Sequence, residues 1–91
     1  MSNKKIINYN TEWCGYSKQF QPIWDKFTSE MKTKHPEIEV VDMKCDKAEN
    51  EVKCKIPEVH GFPTVVLFDG DNKKVFNDDR TVEKLLAFVG K

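Results

Sequence analysis

The run Trp13-Cys14-Gly15-Tyr16-Ser17-Lys18 is where this sequence is equipped for covalent chemistry. It joins a β-branched segment to a helical pattern, which puts Cys14 in the first turn of a helix. Backbone N–H groups there lack carbonyl partners and the helix end carries a partial positive charge, so thiolate is favoured over thiol. Cys14 is therefore expected to be acidic and nucleophilic. Ser17, three residues on, shares its helix face and can donate its hydroxyl hydrogen to the Cys14 sulfur. The alternative is that Cys14 is a small buried residue with no task, as many free cysteines are. A second run, His60-Gly61-Phe62-Pro63-Thr64, directly precedes the most strand-like segment of the chain.

Holding Cys14 at a helix start requires a strand to deliver it and a helix to receive it. Lys5 to Tyr9 is short, β-branched and aromatic, and Asn10-Thr11-Glu12 after it reads as a loop. From Cys14 to about Lys34, Phe20, Ile23, Trp24, Phe27 and Met31 recur at steps of three and four, the period of one helical face. Pro22 predicts a kink in that helix, and His35-Pro36 ends it, because a residue before proline is pushed out of the α region. Ile38 to Cys45 has the β-branched content of a buried strand, and Asp46 to Lys55 reads as a short helix stopped by Pro57. Thr64 to Phe68 is a strand, Asp69-Gly70-Asp71-Asn72 a turn, and Lys73 to Phe76 the second arm of a hairpin. Val82, Leu85, Leu86 and Val89 mark a terminal helix with Thr81 as its N-cap. The order β-α-β-α-β-β-α predicts an α/β fold, a mixed four-stranded sheet with helices on both faces.

Ninety-one residues suffice for one modest core, so a single domain over residues 1–91 is expected. Hydrophobic residues make up 38% and charged residues 33%, with formal net charge zero. That balance offers no field for nucleic acid or anionic lipid, and no apolar stretch approaches a membrane span. Partners must be recognised by a local surface, and the chain is expected to work as a monomer. Met1-Ser2-Asn3-Lys4-Lys5 and the short apolar run after it lack the pattern of a secretory leader, and the three cysteines are sparse and odd in number. Together these predict a cytoplasmic, mostly reducing location.

Several motifs, taken in order, carry a resemblance. Trp13-Cys14-Gly15 with Lys18 opening a helix, Pro22 eight residues after the cysteine, and Gly61-Phe62-Pro63-Thr64 before an apolar strand resemble the thioredoxin superfamily. Phe76-Asn77-Asp78-Asp79-Arg80-Thr81-Val82-Glu83, followed by Leu85, Leu86 and Phe88, resembles the closing segment of protein disulfide isomerase catalytic domains. The resemblance covers nearly the whole chain and implies a minimal thioredoxin fold with a cis Phe62–Pro63 bond beside Cys14. It also implies that this loop offers backbone groups to an extended substrate, with Gly15 in the site loop and Trp13, Tyr16 and Phe62 forming an apolar rim.

The departures matter as much. Ser17 stands where the family has its second cysteine, so a mixed disulfide on Cys14 has no neighbouring thiol to resolve it. Asn8, six residues before Cys14, replaces the buried carboxylate that serves that second thiol. Lys44 matches the lysine that pairs with the carboxylate, and Asp42 is its expected partner instead. Arg80 matches an arginine that helps lower the resolving cysteine's pKa; with Ser17 in place it is either a relic or a surface contact. Cys54 matches the helical half of a structural disulfide known in some isomerase domains, whereas Cys45 fits its partner's position poorly. The two are expected to stay unpaired, a bridge being the alternative. Their spacing with the histidines fits no zinc pattern, and no metal is expected. His35 and His60 are expected on the solvent side.

Three functions fit these residues. In the first, Cys14 attacks a disulfide in a protein, peptide or glutathione adduct, and an external thiol such as glutathione, as co-substrate, releases the mixed disulfide. That is monothiol oxidoreductase or isomerase chemistry without a bound cofactor. The second is a redox-inactive module that holds extended peptides around Pro63. The third is a glutathione-coordinated iron–sulfur carrier, prompted by Cys-Gly-Tyr-Ser and opposed by Trp13 and the Gly-Phe-Pro-Thr context.

Overall fold

Alternation along the first strand decides the two sides of the molecule. In the computed structural model, which describes residues 4–90, β1 (Lys4–Asn10) is buried from Ile6 to Asn10. Met1 to Asn3, part of the segment read for a leader, lie outside the described residues. Side chains on a strand point alternately to opposite faces. Ile6 accordingly joins one apolar cluster, while Ile7 and Tyr9 join another.

β1 sits inside a four-stranded sheet of order β2-β1-β3-β4, where β2 is Glu39–Lys44, β3 is Thr64–Asp69 and β4 is Asn72–Val75. It pairs in parallel with β2 (Asn8 opposite Asp42) and antiparallel with β3 (Asn8 opposite Val65). β3 and β4 form the expected hairpin, and Gly70 takes φ 61°, a left-handed conformation open to glycine without a Cβ penalty.

The long amphipathic pattern becomes α1 (Gly15–Lys34), one element that continues through the exposed Pro22 and closes at His35. Its stripe of Phe20, Trp24, Phe27 and Met31 is at most 1% exposed and packs on Ile6, Val65 and Leu67. α2 (Val82–Val89) adds Leu85 and Val89 to the same cluster. Its N-cap is Thr81, whose hydroxyl accepts the Lys84 N–H at 3.1 Å.

Both α-helices therefore cover one face, and the second face differs in detail from expectation. Asp46 to Lys55 forms a single 3₁₀ turn, Ala48–Asn50, followed by further turns. The reason lies in its side chains: Val52 is 80% exposed, so no apolar stripe exists to dock a full helix. From this segment and the chain on either side of it, Cys45, Cys54, Ile56, Val59 and Phe62 pack onto Ile7, Tyr9 and Val66. β2 is also less buried than its composition implies, because it is a sheet edge.

Cys45 and Cys54 form a disulfide, which corrects the expectation that they stay unpaired. The chain turns at the end of β2 and returns across the second face, bringing their Cα atoms to 5.9 Å, within bridging range. Closing this short loop is worth about 2–3 kcal/mol in the chain-entropy account. The double variant Cys45→Ala/Cys54→Ala is expected to lose about that much in urea unfolding. An unchanged midpoint and slope would show that the bridge stabilises nothing.

Candidate active site

Cys14 is the N-cap of α1, with extended backbone (φ −79°, ψ 126°), one position ahead of the first turn in which the sequence reading set it. The distinction is chemical. An N-cap side chain faces the unpaired N–H groups of the turn that follows it. The Cys14 thiol is accordingly pushed below the ordinary thiol range. The chief cause is the Ser17 backbone N–H, opposed in part by desolvation; the Tyr16 N–H, the Ser17 hydroxyl and the charge of Arg80 then add to the lowering. Arg80, which the sequence left without a role, thus acts on Cys14 itself.

In the protonated state the Cys14 S–H faces the Phe62 carbonyl oxygen at 3.6 Å, and the Phe62–Pro63 bond is cis. Pro63 is buried, and Phe62 is edge-on to Trp13 with ring centroids 6.4 Å apart. Trp13 and Tyr16 are 68% and 66% exposed, a large apolar area left in water on either side of the sulfur in the chain. Gly15 opens α1, and a Cβ there would meet nothing within 4 Å. Its place in the site is thus the start of the helix, with no crowding that demands glycine. Among the described residues, no three of His, Cys, Asp and Glu converge in a way that could hold a metal ion.

Ser17 is nearly fully buried at 2% exposure, and its Oγ accepts the Thr11 N–H at 3.4 Å. Past Ile6 the helix-side face of β1 turns polar, at Asn8 and Asn10. Asn8 is 1% exposed and its Oδ1 has no hydrogen-bond partner, so the position of the family's carboxylate holds a neutral amide. Lys44 Nζ does pair with Asp42 Oδ1, at 3.2 Å. The sequence missed the rest of this group. Asn10 ends β1 instead of beginning a loop, and its Nδ2 donates to Asp42 Oδ1 at 2.7 Å. Gln21 Nε2 donates to Asp42 Oδ2 at 2.9 Å and its Oε1 accepts from Lys44 at 2.7 Å. Only the pairing of β1 with β2 under α1 brings these residues together, and the lone sequence signal was the polar pair Asn8 and Asn10 on a strand face.

A mixed sheet, a cysteine at the start of its first long helix and a facing cis-proline loop together define a thioredoxin-type domain. The chain belongs to the thioredoxin family, whose model matches residues 1–91. It is 35% identical over 91 residues to protein disulfide-isomerase of Gallus gallus, covering 96% of this chain and 17% of that protein. It is 31% identical over 87 residues to thioredoxin domain-containing protein R362 of Acanthamoeba polyphaga mimivirus, covering 92% of this chain and 25% of that one. The chain thus spans a quarter or less of the length of these curated relatives. Among solved structures, the first thioredoxin domain of mouse protein disulfide-isomerase A4 matches with a TM-score of 0.79 at 27% identity, covering 97% of this chain and 61% of that one. The J-Trx1 fragment of ERdj5 matches with a TM-score of 0.81 at 22% identity, covering 96% and 41%. Within that family it is similar in sequence and fold to domains of protein disulfide isomerases.

The alkylation rate of Cys14 should rise with pH at a midpoint below that of an ordinary thiol, since only the thiolate reacts and its pKa is lowered. Arg80→Gln should move the midpoint part of the way back. A midpoint equal to that of a model thiol would refute the activated cysteine.

Proposed function

We propose that the domain carries out thiol–disulfide exchange as a monothiol. The observation that carries this reading is the pairing of a thiolate-favouring Cys14 at the N-cap of α1 with a buried serine at position 17. Cys14 thiolate attacks one sulfur of a client disulfide; the client S–S bond breaks, a Cys14–client disulfide forms, and the second client sulfur leaves as thiolate. An external thiolate then attacks the client sulfur of that mixed disulfide and expels Cys14, a good leaving group because its thiolate is stabilised. No step draws on Ser17 as nucleophile. Its hydroxyl stabilises the Cys14 thiolate. Similarity to protein disulfide isomerases supports protein or peptide disulfides as the client class.

A second reading, a peptide-holding module, is favoured by one observation: Trp13 and Tyr16 expose most of their surface beside the Pro63 loop. The two readings separate after Cys14 has attacked. Under the monothiol reading, wild type traps a disulfide-bearing peptide covalently, and the complex shortens its life in proportion to added reduced glutathione, while Cys14→Ser traps nothing. Peptide binding that is equal in wild type and Cys14→Ser, and indifferent to glutathione, would instead leave only the holding module.

A further inference from the structure

We propose that Asp46 is a positioning residue for Cys14 and that the Cys45–Cys54 bridge sets its hold, so that the state of the bridge governs the rate of exchange at Cys14. The proposal rests on the monothiol reading and adds a control on the same sulfur.

The loop from Thr11 to Trp13 delivers Cys14 to the start of α1, and three contacts fix it. Ser17 Oγ accepts the Thr11 N–H at 3.4 Å, Asp46 Oδ2 accepts the Glu12 N–H at 3.2 Å, and the Trp13 ring meets that of Phe62 edge-on. Of these, the Asp46 contact alone comes from outside the segments that carry Cys14 and Pro63. An N–H donated to a carboxylate is a charge-assisted bond, stronger than a neutral one. Lys47 adds an ion pair to Glu12 at 3.6 Å, but both side chains are exposed, where such a pair is worth little.

What holds Asp46 is its neighbour. The Cys45 N–H donates to the Asn10 carbonyl at 2.7 Å, which carries the β1–β2 pairing one residue past Lys44. Beyond Asp46 the Lys47 N–H and Asn50 Nδ2 both donate to the Lys44 carbonyl, at 3.2 and 2.9 Å, and shape the turn. With Val52 in water no apolar stripe docks the segment, so the bridge at Cys54 ties its far end back to Cys45. When the bridge opens, Asp46 keeps its tether on the strand side and loses the other. Opening takes two external thiols, which leave as one disulfide while Cys45 and Cys54 each take up a proton. The class of thiol that resolves the mixed disulfide thus also slows the next attack. The Asp46 charge by itself disfavours a neighbouring thiolate, whereas its hydrogen bond keeps Cys14 against the N–H groups that favour one. Loss of the charge and loss of the bond therefore push the Cys14 titration in opposite directions.

The test measures two quantities at Cys14: the rate at which it forms a mixed disulfide with a fluorescent disulfide-bearing peptide at neutral pH, and the pH midpoint of its alkylation. Asp46→Ala, an exposed change that leaves the core intact, should slow adduct formation about 3- to 10-fold, the weight of one hydrogen bond, and raise the midpoint. Asp46→Asn keeps an oxygen acceptor for the Glu12 N–H and should retain most of the wild-type rate, with no rise in midpoint. Cys45→Ala/Cys54→Ala, which stands for the open bridge, should slow adduct formation to a similar degree. Adding Asp46→Ala to it should cost little more, because the two changes remove the same hold. A wild-type rate and midpoint in Asp46→Ala, or equal effects of Ala and Asn, would overturn Asp46 as a positioning residue. A bridge variant that loses stability but exchanges at the wild-type rate, or whose effect adds in full to that of Asp46→Ala, would make the bridge structural alone. Each of these results leaves monothiol exchange intact. Failure of wild type to form the adduct would remove the monothiol reading, and this proposal with it.

Discussion

Ser17→Cys is expected to shorten the life of a client disulfide on Cys14 by about 10²-fold or more at millimolar external thiol, because resolution becomes intramolecular. The reasoning is positional. Ser17 lies in the first turn of α1, three residues after Cys14, and its hydroxyl helps lower the Cys14 pKa, so a thiol there can attack the mixed disulfide without diffusing. Insulin-disulfide reduction with dithiothreitol should appear in parallel. The gain should be incomplete, because buried position 8, where the resemblance expects a carboxylate, holds an amide that cannot accept the new thiol's proton. Asn8→Asp on top of Ser17→Cys should raise the rate further. Burial raises the pKa of the introduced carboxyl, so the folded state holds its proton more tightly than the unfolded chain does. Stability of the double variant should therefore decline as pH rises from about 4 toward the folded-state pKa, the window in which the base becomes competent. If neither variant outpaces wild type, the geometry of the loop, and not the number of thiols, limits exchange.

How much of this could be read in advance follows from the range over which each interaction acts. The stripe of α1 was legible because its period is local, and Phe20, Trp24, Phe27 and Met31 are indeed all but fully buried. The Gly70 turn and the Thr81 cap are likewise written in adjacent residues. Cys14, Trp13, Phe62 and Pro63 could be placed together because two compact motifs carry them. What failed depends on contacts distant in sequence. Asp46 to Lys55 is rich in helix formers, yet with Val52 in water it has no apolar face to dock, and it settles into turns around the Cys45–Cys54 bridge. That bridge was underestimated because cellular redox says nothing about two Cα atoms folding to 5.9 Å. Asn10 and Gln21 looked like surface polar residues until the β1–β2 register set them around Asp42 and Lys44. The action of Arg80 on Cys14 spans most of the chain and has no local signature.

Phe27→Ala is expected to cost about 3–5 kcal/mol of folding stability, the range for emptying a fully buried aromatic site. Phe27 is 0% exposed, with its ring centroid 5.1 Å from that of Trp24, and it belongs to the cluster that joins α1 to β1, β3 and α2. At about 0.05–0.15 kcal/mol per residue, a chain of this length has roughly 5–14 kcal/mol in total, so this one change removes at least about a fifth of it. Phe27→Leu refills most of the space and should cost under about 1.5 kcal/mol, which separates the cavity from any effect of aromaticity. Urea unfolding of both variants by far-ultraviolet circular dichroism gives the two numbers. The consequence reaches the site, because the N–H groups that hold the Cys14 thiolate belong to the first turn of the helix that Phe27 anchors. Loosened docking of α1 lets that turn fray, so the alkylation midpoint of Cys14 in Phe27→Ala should move toward that of an ordinary thiol, and in Phe27→Leu it should not. A loss below about 1 kcal/mol in Phe27→Ala would mean that α1 is held by something other than this aromatic stripe. An unmoved midpoint alongside a large loss would mean that the first turn keeps its form independently of the core beneath it.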